Sequence, residues 1–420
     1  MKDTIALVLA AGRGTRMKSD TPKVMHEVLG RPMIRYLLEA VRGAGVNDII
    51  VIAGYKAELL KEAMGGARLI TQKELLGSGH AVQTAKRALA GYSGDIIVAY
   101  GDTPLIESHT IKALITKHKS SRASATVLTV EMKDPSGYGR IARTDSGRIA
   151  KIVEENEADL YEAAIKEVNV GLYCFRAKDL FDALSEIAPK NKKKEYYLTD
   201  TIGILHKKGR RIESVLSKED ADEVIGVNTR WGLAEANRLL KMRILKRLMS
   251  EAVTIEDPLT TIIYPDVKIG PETVIRPNTI IESDVEIGPR CAIGPFARIR
   301  LKVYLDEDVE IGNFVELVRT KVGAGTKIKH HSYIGDAIIG RNVNVGAGTI
   351  TANFDGKAKN RTVIEDGAFI GVGSILIAPV RIGRGATVGA GCVVPRDHDV
   401  PAGATVVGVP ARILKRGRRS

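Results

Sequence analysis

Cysteine is scarce in this chain of 420 residues: Cys174, Cys291 and Cys392 are the only three, and they stand far apart. That spacing excludes a disulfide framework and a cysteine-built zinc site. Aromatic residues make up 5%, with a single Trp, which leaves few rings on which unpaired bases could stack. No apolar run approaches the roughly 18–20 residues that cross a bilayer. The first residues lead straight into an apolar strand, without a signal-peptide pattern, so a cytoplasmic location without membrane contact is expected. Acidic residues are also in deficit, 50 against 63 Lys and Arg, for a net charge of +13. The excess is local: residues 230–249 carry six basic side chains and one acidic, and residues 411–420 carry five basic and none acidic. Such a distribution is not a nucleic-acid surface, and no nucleic-acid partner is expected. The length exceeds what one core usually supports, about 250–300 residues, so two domains are expected.

Two periodicities divide the chain. Up to residue 228, apolar runs that read as buried parallel strands (Ile5–Ala10, Asp48–Ala53, Ile96–Tyr100, Ala125–Val130, Val168–Phe175) alternate with helical patterns at Pro32–Gly43, Ala81–Ala90 and Ser108–Lys119. This alternation predicts a mostly parallel sheet whose site lies at the carboxyl ends of its strands. Residues 229–250 read as one connecting helix, capped by Asn228-Thr229. From Ile269 the period becomes six. Large aliphatics recur at Ile275, Ile281, Ile287, Ile293, Ile299, Leu305, Ile311 and Leu317, with small or β-branched residues four places on, from Thr273 through Val315. The phase contracts by one residue before Val322 and again before Ile339. Asn353–Arg361 interrupts it, and it resumes from Ile364 to Val394. Neither strand nor helix has this period; a parallel β-helix does, expected here in its left-handed form over residues 251–420.

The first half carries Leu9-Ala10-Ala11-Gly12-Arg13-Gly14-Thr15-Arg16-Met17 at a strand end, with Pro22-Lys23 downstream. Glycines allow backbone N–H groups to approach phosphates, and Arg16 and Lys23 supply positive charge. The string is neither a P-loop nor a dinucleotide fingerprint. It resembles the sugar-1-phosphate nucleotidyltransferases. Joined to the hexad half, the chain is similar to the bifunctional N-acetylglucosamine-1-phosphate uridyltransferase/glucosamine-1-phosphate acetyltransferase family over nearly its whole length. That resemblance implies a Rossmann-like nucleotidyltransferase domain over 1–228 that binds UTP, N-acetylglucosamine-1-phosphate and Mg²⁺. It implies that Leu9, Ala10, Ala11, Gly12, Gln72, Gly77 and Ser78 hold the nucleotide, and that Tyr100, Gly101, Gly139, Glu154, Asn169 and Asn228 contact substrate. Asp102 and Asn228 would hold Mg²⁺, with Arg16 and Lys23 catalytic.

In the second half the resemblance implies acetyl transfer from acetyl-CoA to glucosamine-1-phosphate, with a homotrimer formed through the β-helix. His330 matches the catalytic base, because His is tuned for proton transfer near neutral pH. Its neighbour His331 falls on a position the family does not use, and adjacent strand residues are expected to face opposite ways. Arg300, Glu316, Tyr333, Asn344 and Lys359 match acceptor-side positions; Ala347, Asn353, Phe354 and Ala390 match CoA-side positions. The loop carrying Asn353 and Lys359 is long enough to reach a neighbouring subunit. The basic tail is expected near the CoA phosphates. Three residues depart from the family pattern: Val318 stands where it has Lys, Phe354 where it has Tyr, and Val372 where it has a Ser that polarises the thioester. Arg319 or Lys321 is a candidate replacement for the cation, and Ser374 for the hydroxyl. The departures keep a second reading open: a nucleotidyltransferase whose β-helix serves trimerisation or acetylates another amino-sugar phosphate.

Overall fold

The computed structural model describes residues 3–217 and 221–414. The chain divides into two compact units on either side of the Leu239–Leu240 bond, inside the helix Arg230–Ser250.

The first unit is a twisted sheet of the expected α/β kind. Its central strand, Thr4–Ala10, is buried at all seven positions and pairs in parallel with Asp48–Ala53 on one side and Asp95–Tyr100 on the other. Burial on both faces explains why these strands are continuous apolar runs rather than alternating ones. The main order is Ile212–Leu216, Ala125–Glu131, Glu167–Arg176, Asp95–Tyr100, Thr4–Ala10, Asp48–Ala53, Arg68–Thr71, with the hairpin Arg140–Arg143 and Ile149–Val153 attached off it through Glu167–Arg176. The strand Glu167–Arg176 runs antiparallel to both neighbours, and its register shifts between Asn169 and Tyr173. Gly171 sits in that irregularity at φ +81°; a Cβ there would lie 2.5 Å from the Tyr100 ring. The expected helices form as Met33–Gly43, Ser78–Thr84 with a short turn at Arg87–Leu89, and Ser108–Ser121. The N-terminus of the last is met by the buried carboxylate of Glu223, which accepts hydrogen bonds from the Glu107 N–H (2.9 Å) and the Thr110 hydroxyl (2.7 Å). An anion is stabilised there by the helix dipole, and it anchors the segment leading to Asn228.

The second unit is the left-handed parallel β-helix. Strands of successive coils pair in parallel on three faces. Val274 pairs with Ala292 and Ala292 with Glu310, each one coil of 18 residues on. Glu310 then pairs with Lys327 and Lys327 with Asn344, 17 residues on, so each one-residue contraction shortens a coil. Asn344 pairs with Phe369, 25 residues on, because the inserted loop lies in that coil. The hexad aliphatics form the inner stack: Ile275, Ile281, Ile293, Ile299, Leu317, Ile328 and Ile334 are all fully buried. Buried threonines line the corners, as where the Thr273 hydroxyl donates to Gly288 O (2.8 Å) and accepts from Cys291 N–H (3.0 Å). The corner backbone, which neither strand ladder reaches, is thereby partnered. Residues 415–420, most of the basic tail, lie outside the described residues.

Candidate active sites

The first site forms where three parallel strands end. The Gly101 N–H donates to Leu9 O (2.9 Å), which joins the ends of two neighbouring strands. The Val227 N–H donates to Asp102 O (2.8 Å), which brings Asn228 beside Asp102. Four side chains meet here. The Lys23 ammonium is hydrogen-bonded to Asp102 Oδ2 and lies 3.0 Å from Asn228 Oδ1. Arg16 Nη2 donates to the same Asn228 oxygen at 2.8 Å. Gly14 makes this possible. It has φ +62°, and a Cβ there would stand 2.7 Å from the Lys23 Cβ.

Beside the cluster opens a cavity of about 830 Å³, lined by Leu9, Ala11, Gly12, Lys23, Gln72, Gly77, Ser78, Tyr100 and Asp102 among others. A Cβ on Gly12 would meet nothing within 4 Å, so its backbone borders open space. Buried Gln72 is held by its amide N–H groups, 2.9 Å from His80 Nδ1 and 3.3 Å from Gly77 O. Gly77 has φ +111°, and a Cβ would collide with Tyr196 O at 2.6 Å. Tyr100 is half-buried at the cavity wall; desolvation pushes its phenol well up, against a hydrogen bond from Ser78 that opposes the shift.

Gly139, Glu154 and Asn169 do not line this cavity. Gly139 and Asn169 are joined to each other, and Glu154 has a separate partner. Asn169 N–H donates to Gly139 O (2.8 Å), and its side chain donates to the Tyr173 hydroxyl (2.7 Å). Glu154 accepts from the Thr199 hydroxyl at 2.8 Å; burial raises its carboxyl above the usual range. Arg140 is buried beside them and its guanidinium donates to Tyr138 O, fixing the loop that leads to Gly139. The sequence reading missed the further lining residues Arg13, Tyr55, Lys73 and Glu195. Lys73 follows Gln72 directly, so adjacency was the available signal.

The second site lies on one corner of the β-helix. His330 Nδ1 is 3.0 Å from Asn313 Oδ1, one coil earlier in the same column. With the Asn313 carbonyl oxygen turned to it, this hydrogen bond requires the proton on Nδ1 and leaves Nε2 as the basic nitrogen. The column continues through Ala347, Val372 and Ala390: Gly348 N–H donates to His331 O, Gly373 N–H to Ala347 O and Gly391 N–H to Val372 O, at 2.7–2.9 Å. Simple strand alternation fails here. His331 turns the corner at φ +40°, so both histidines are exposed and neither points inward. A second cavity of about 450 Å³ adjoins His330 and is lined also by Asn313, Lys329, Glu310 and Arg276. Phe296 and Phe314 stack beside it, ring centres 5.2 Å apart. Neither Asn313 nor this aromatic pair was singled out from sequence.

On the adjoining face Arg300 Nε donates to Glu316 Oε1 at 2.7 Å, and Glu316 pairs in register with Tyr333. Val318 is fully buried beside Arg300 in register. The candidate replacements have other partners. Arg319 is bidentate to Asp336 at 2.6 and 2.8 Å, and Asp336 also accepts from the Asn353 side chain. Lys321 lies on the third face, over the Tyr304 ring. Ser374 is fully buried and its hydroxyl donates to Gly371 O (2.7 Å), so it does not replace the missing hydroxyl. Asn344 projects from the His330 face between Lys327 and Phe369. Asn353 is buried, whereas Phe354 and Lys359 are exposed on the inserted loop. That loop leaves from the corner between the second and third faces, so one chain does not bring it to His330.

Comparison with known proteins matches each part. A MobA-like NTP transferase domain covers residues 6–198, a GMPPB C-terminal domain 281–355, and bacterial transferase hexapeptide repeats 361–396. The crystal structure of UDP-glucose pyrophosphorylase complexed with UDP-glucose covers 57% of this chain and 99% of its own, at a TM-score of 0.47 and 23% identity. A Bifunctional protein GlmU of Pelobacter propionicus is 41% identical and aligns over all of this chain and 98% of its own length. Those of Acetivibrio thermocellus (42% identical, 94% of this chain, 93% of its own) and Carboxydothermus hydrogenoformans (43%, 97% and 98%) match as fully. With identity above 40% from end to end, the chain belongs to the family of bifunctional GlmU proteins.

Proposed function

We propose that the protein transfers a uridylyl group from UTP to N-acetylglucosamine-1-phosphate, releasing pyrophosphate, and an acetyl group from acetyl-CoA to the amine of glucosamine-1-phosphate. The observation that carries the first half is the meeting of Arg16, Lys23, Asp102 and Asn228 at the mouth of the 830 Å³ cavity, where strand ends open. The uracil would rest against Leu9–Gly12 and Gln72. The sugar would lie toward Gly139, Glu154 and Asn169. The sugar-phosphate oxygen attacks the α-phosphorus in line with departing pyrophosphate. Arg16 and Lys23 offset the charge that builds on the phosphoryl and leaving oxygens. No covalent intermediate is needed, so the chain acts by positioning and electrostatics.

One carboxylate and one amide carbonyl already converge on a single cation, the Lys23 ammonium. Hard oxygen donors of this kind, too few to form a closed cage, suit Mg²⁺, which keeps other positions for water and phosphate. Asp102 and Asn228 would hold it, and when bound it would neutralise triphosphate charge.

At the β-helix corner, His330 Nε2 would take the proton of the acceptor amine as the amine attacks the thioester carbonyl, and CoA would leave as thiol. Asn313 keeps the imidazole in the needed tautomer. The acceptor-side residues Arg300, Glu316 and Tyr333 occupy the adjoining face, and the loop bearing Asn353 and Lys359 leaves from another corner. A homotrimer would bring a neighbour's loop to the His330 column, with a cytoplasmic location throughout. A second reading, a different amino-sugar phosphate as acceptor, is favoured by the buried Val318 and by Arg319 being tied to Asp336.

The test supplies UTP, Mg²⁺ and N-acetylglucosamine-1-phosphate and measures pyrophosphate, which should appear. Silence with this and every other nucleotide and sugar-phosphate pair would overturn the reading. Free thiol released from acetyl-CoA, followed across several amino-sugar phosphates, identifies the acceptor. His330→Ala should reduce it at least about 100-fold, the usual scale of general-base loss; an unchanged rate removes His330 as the base.

A further inference from the structure

The Lys23 ammonium holds the two oxygens that the proposed reaction assigns to a divalent cation. It is bonded to Asp102 Oδ2 and lies 3.0 Å from Asn228 Oδ1. Asn228 Oδ1 already accepts from Arg16 as well. A divalent ion cannot coordinate Asp102 and Asn228 from the same side while this ammonium is there, because both would occupy the space between the two oxygens.

The surrounding backbone fixes where Lys23 starts but not where its side chain ends. Pro22 sets φ for the turn, Met25 N–H donates to Pro22 O (2.8 Å) and His26 N–H to Lys23 O (3.2 Å). Gly14 packs against the Lys23 Cβ. Beyond that contact the stem is an unbranched chain with three rotatable donors on its tip. The cavity that Lys23 lines gives the tip a second place to go.

We propose that Lys23 is an internal counter-ion that fills the divalent-cation seat until nucleotide arrives. The inference rests on the proposed uridylyl-transfer reading and adds an order to it. In the free protein, Lys23 neutralises Asp102, which is nearly buried and would otherwise be an unpaired charge. When a nucleoside triphosphate enters, its phosphate oxygens offer the ammonium a better anion. Lys23 swings from Asp102 to the phosphates, and the metal carried by the nucleotide takes the vacated oxygens. The metal therefore enters with the triphosphate rather than before it, and the same residue guards the seat and later stabilises the transferred charge.

The probe is Mn²⁺, read by the electron paramagnetic resonance of the free ion, with the full-length protein. Without nucleotide, wild type should bind Mn²⁺ weakly; with UTP the affinity should rise at least about 100-fold. Lys23→Met should tighten nucleotide-free Mn²⁺ binding about tenfold or more. Lys73→Met removes a positive charge lining the same cavity without touching Asp102, and should tighten it far less. A second readout needs no substitution. Acylation of Lys23, mapped by peptide, should be slow in the free protein, faster with saturating Mn²⁺ alone, and slow again with UTP. Equal tightening in the two Met variants, tight Mn²⁺ binding by wild type without nucleotide, or a Lys23 acylation rate indifferent to Mn²⁺ would each overturn the proposal. Asp102→Asn separates the two levels. If it fails to weaken Mn²⁺ binding in the presence of UTP, the metal reading itself falls; if it weakens binding while Lys23→Met does not tighten it, only the counter-ion role falls.

Discussion

Glu154 shows how one residue can be wrong for its surroundings and right for a ligand. Its carboxyl is raised by burial, the Thr199 hydroxyl and the charge of Lys193 opposing the shift only in part. A half-buried acceptor with a single protein hydrogen bond has capacity left for a sugar hydroxyl. Loss of a hydrogen bond to a charged group costs about 1.5–3 kcal/mol, so Glu154→Gln should raise KM for the sugar phosphate about 10- to 100-fold, with a smaller change in kcat. In wild type that KM should rise as pH falls through the raised pKa, because the charged acceptor is then replaced by a weaker neutral one; the Gln variant should show no such limb. Stability moves the other way. A carboxyl with a raised folded pKa weakens the fold increasingly as pH rises through that value, so at neutral pH Glu154→Gln should have an equal or higher Tm. Parallel KM–pH profiles for the two proteins would remove Glu154 from sugar binding.

At the scale of single elements, what could be read from sequence depends on how tightly a pattern binds residue to geometry. A period of six admits one solution, and the buried stack from Ile275 to Ile334 follows it residue by residue. Its contractions were visible too, since a deleted residue moves every later side chain out of phase. The corner at Lys329–Ser332 was not, because alternation breaks where His331 enters the left-handed region. Ser374 failed as a hydroxyl donor for a related reason: it falls on an inward corner position, like Thr349 one coil before. In the sheet, strand identities were legible from apolar runs, but the antiparallel course of Glu167–Arg176 was set by long-range pairing and by Gly171 against Tyr100. The phosphate-loop glycines were legible as a motif, whereas the contact between Gly14 and Lys23 required coordinates. It carries its own prediction. Gly14→Ala adds a Cβ at φ +62° and 2.7 Å from the Lys23 stem. Strain of this kind costs about 1–3 kcal/mol and would displace the ammonium. Pyrophosphate release should fall at least tenfold while circular dichroism keeps the native spectrum; an unchanged rate would mean that the position of Lys23 tolerates such a shift.

For the whole molecule, the question is which parts of the chain each reaction needs. Every residue assigned to uridylyl transfer, from Leu9 to Asn228, belongs to the first compact unit, and every residue assigned to acetyl transfer belongs to the second. The boundary falls inside the helix Arg230–Ser250, so a cut at the boundary would destroy an element that the first unit uses. Asn237 on that helix accepts from the Leu29 N–H at 2.8 Å, and Arg230 Nε donates to Met17 O at 3.1 Å, immediately after Arg16. The helix therefore braces the segment that carries Arg16. Two truncations separate these roles. A chain ending after Ser250 retains both contacts and should keep pyrophosphate release within about threefold of the full chain, while releasing no thiol from acetyl-CoA. A chain ending after Asn228 loses both contacts. Each such hydrogen bond contributes about 0.5–1.5 kcal/mol, and together they should lower the Tm of the remaining unit by several degrees and reduce uridylyl transfer further than the longer truncation does. Equal activity in the two truncations would show that the helix is only a connector. Loss of activity in both would show instead that the first site depends on the β-helix or on a neighbouring subunit, and sedimentation of the longer truncation against the full chain would separate those two causes.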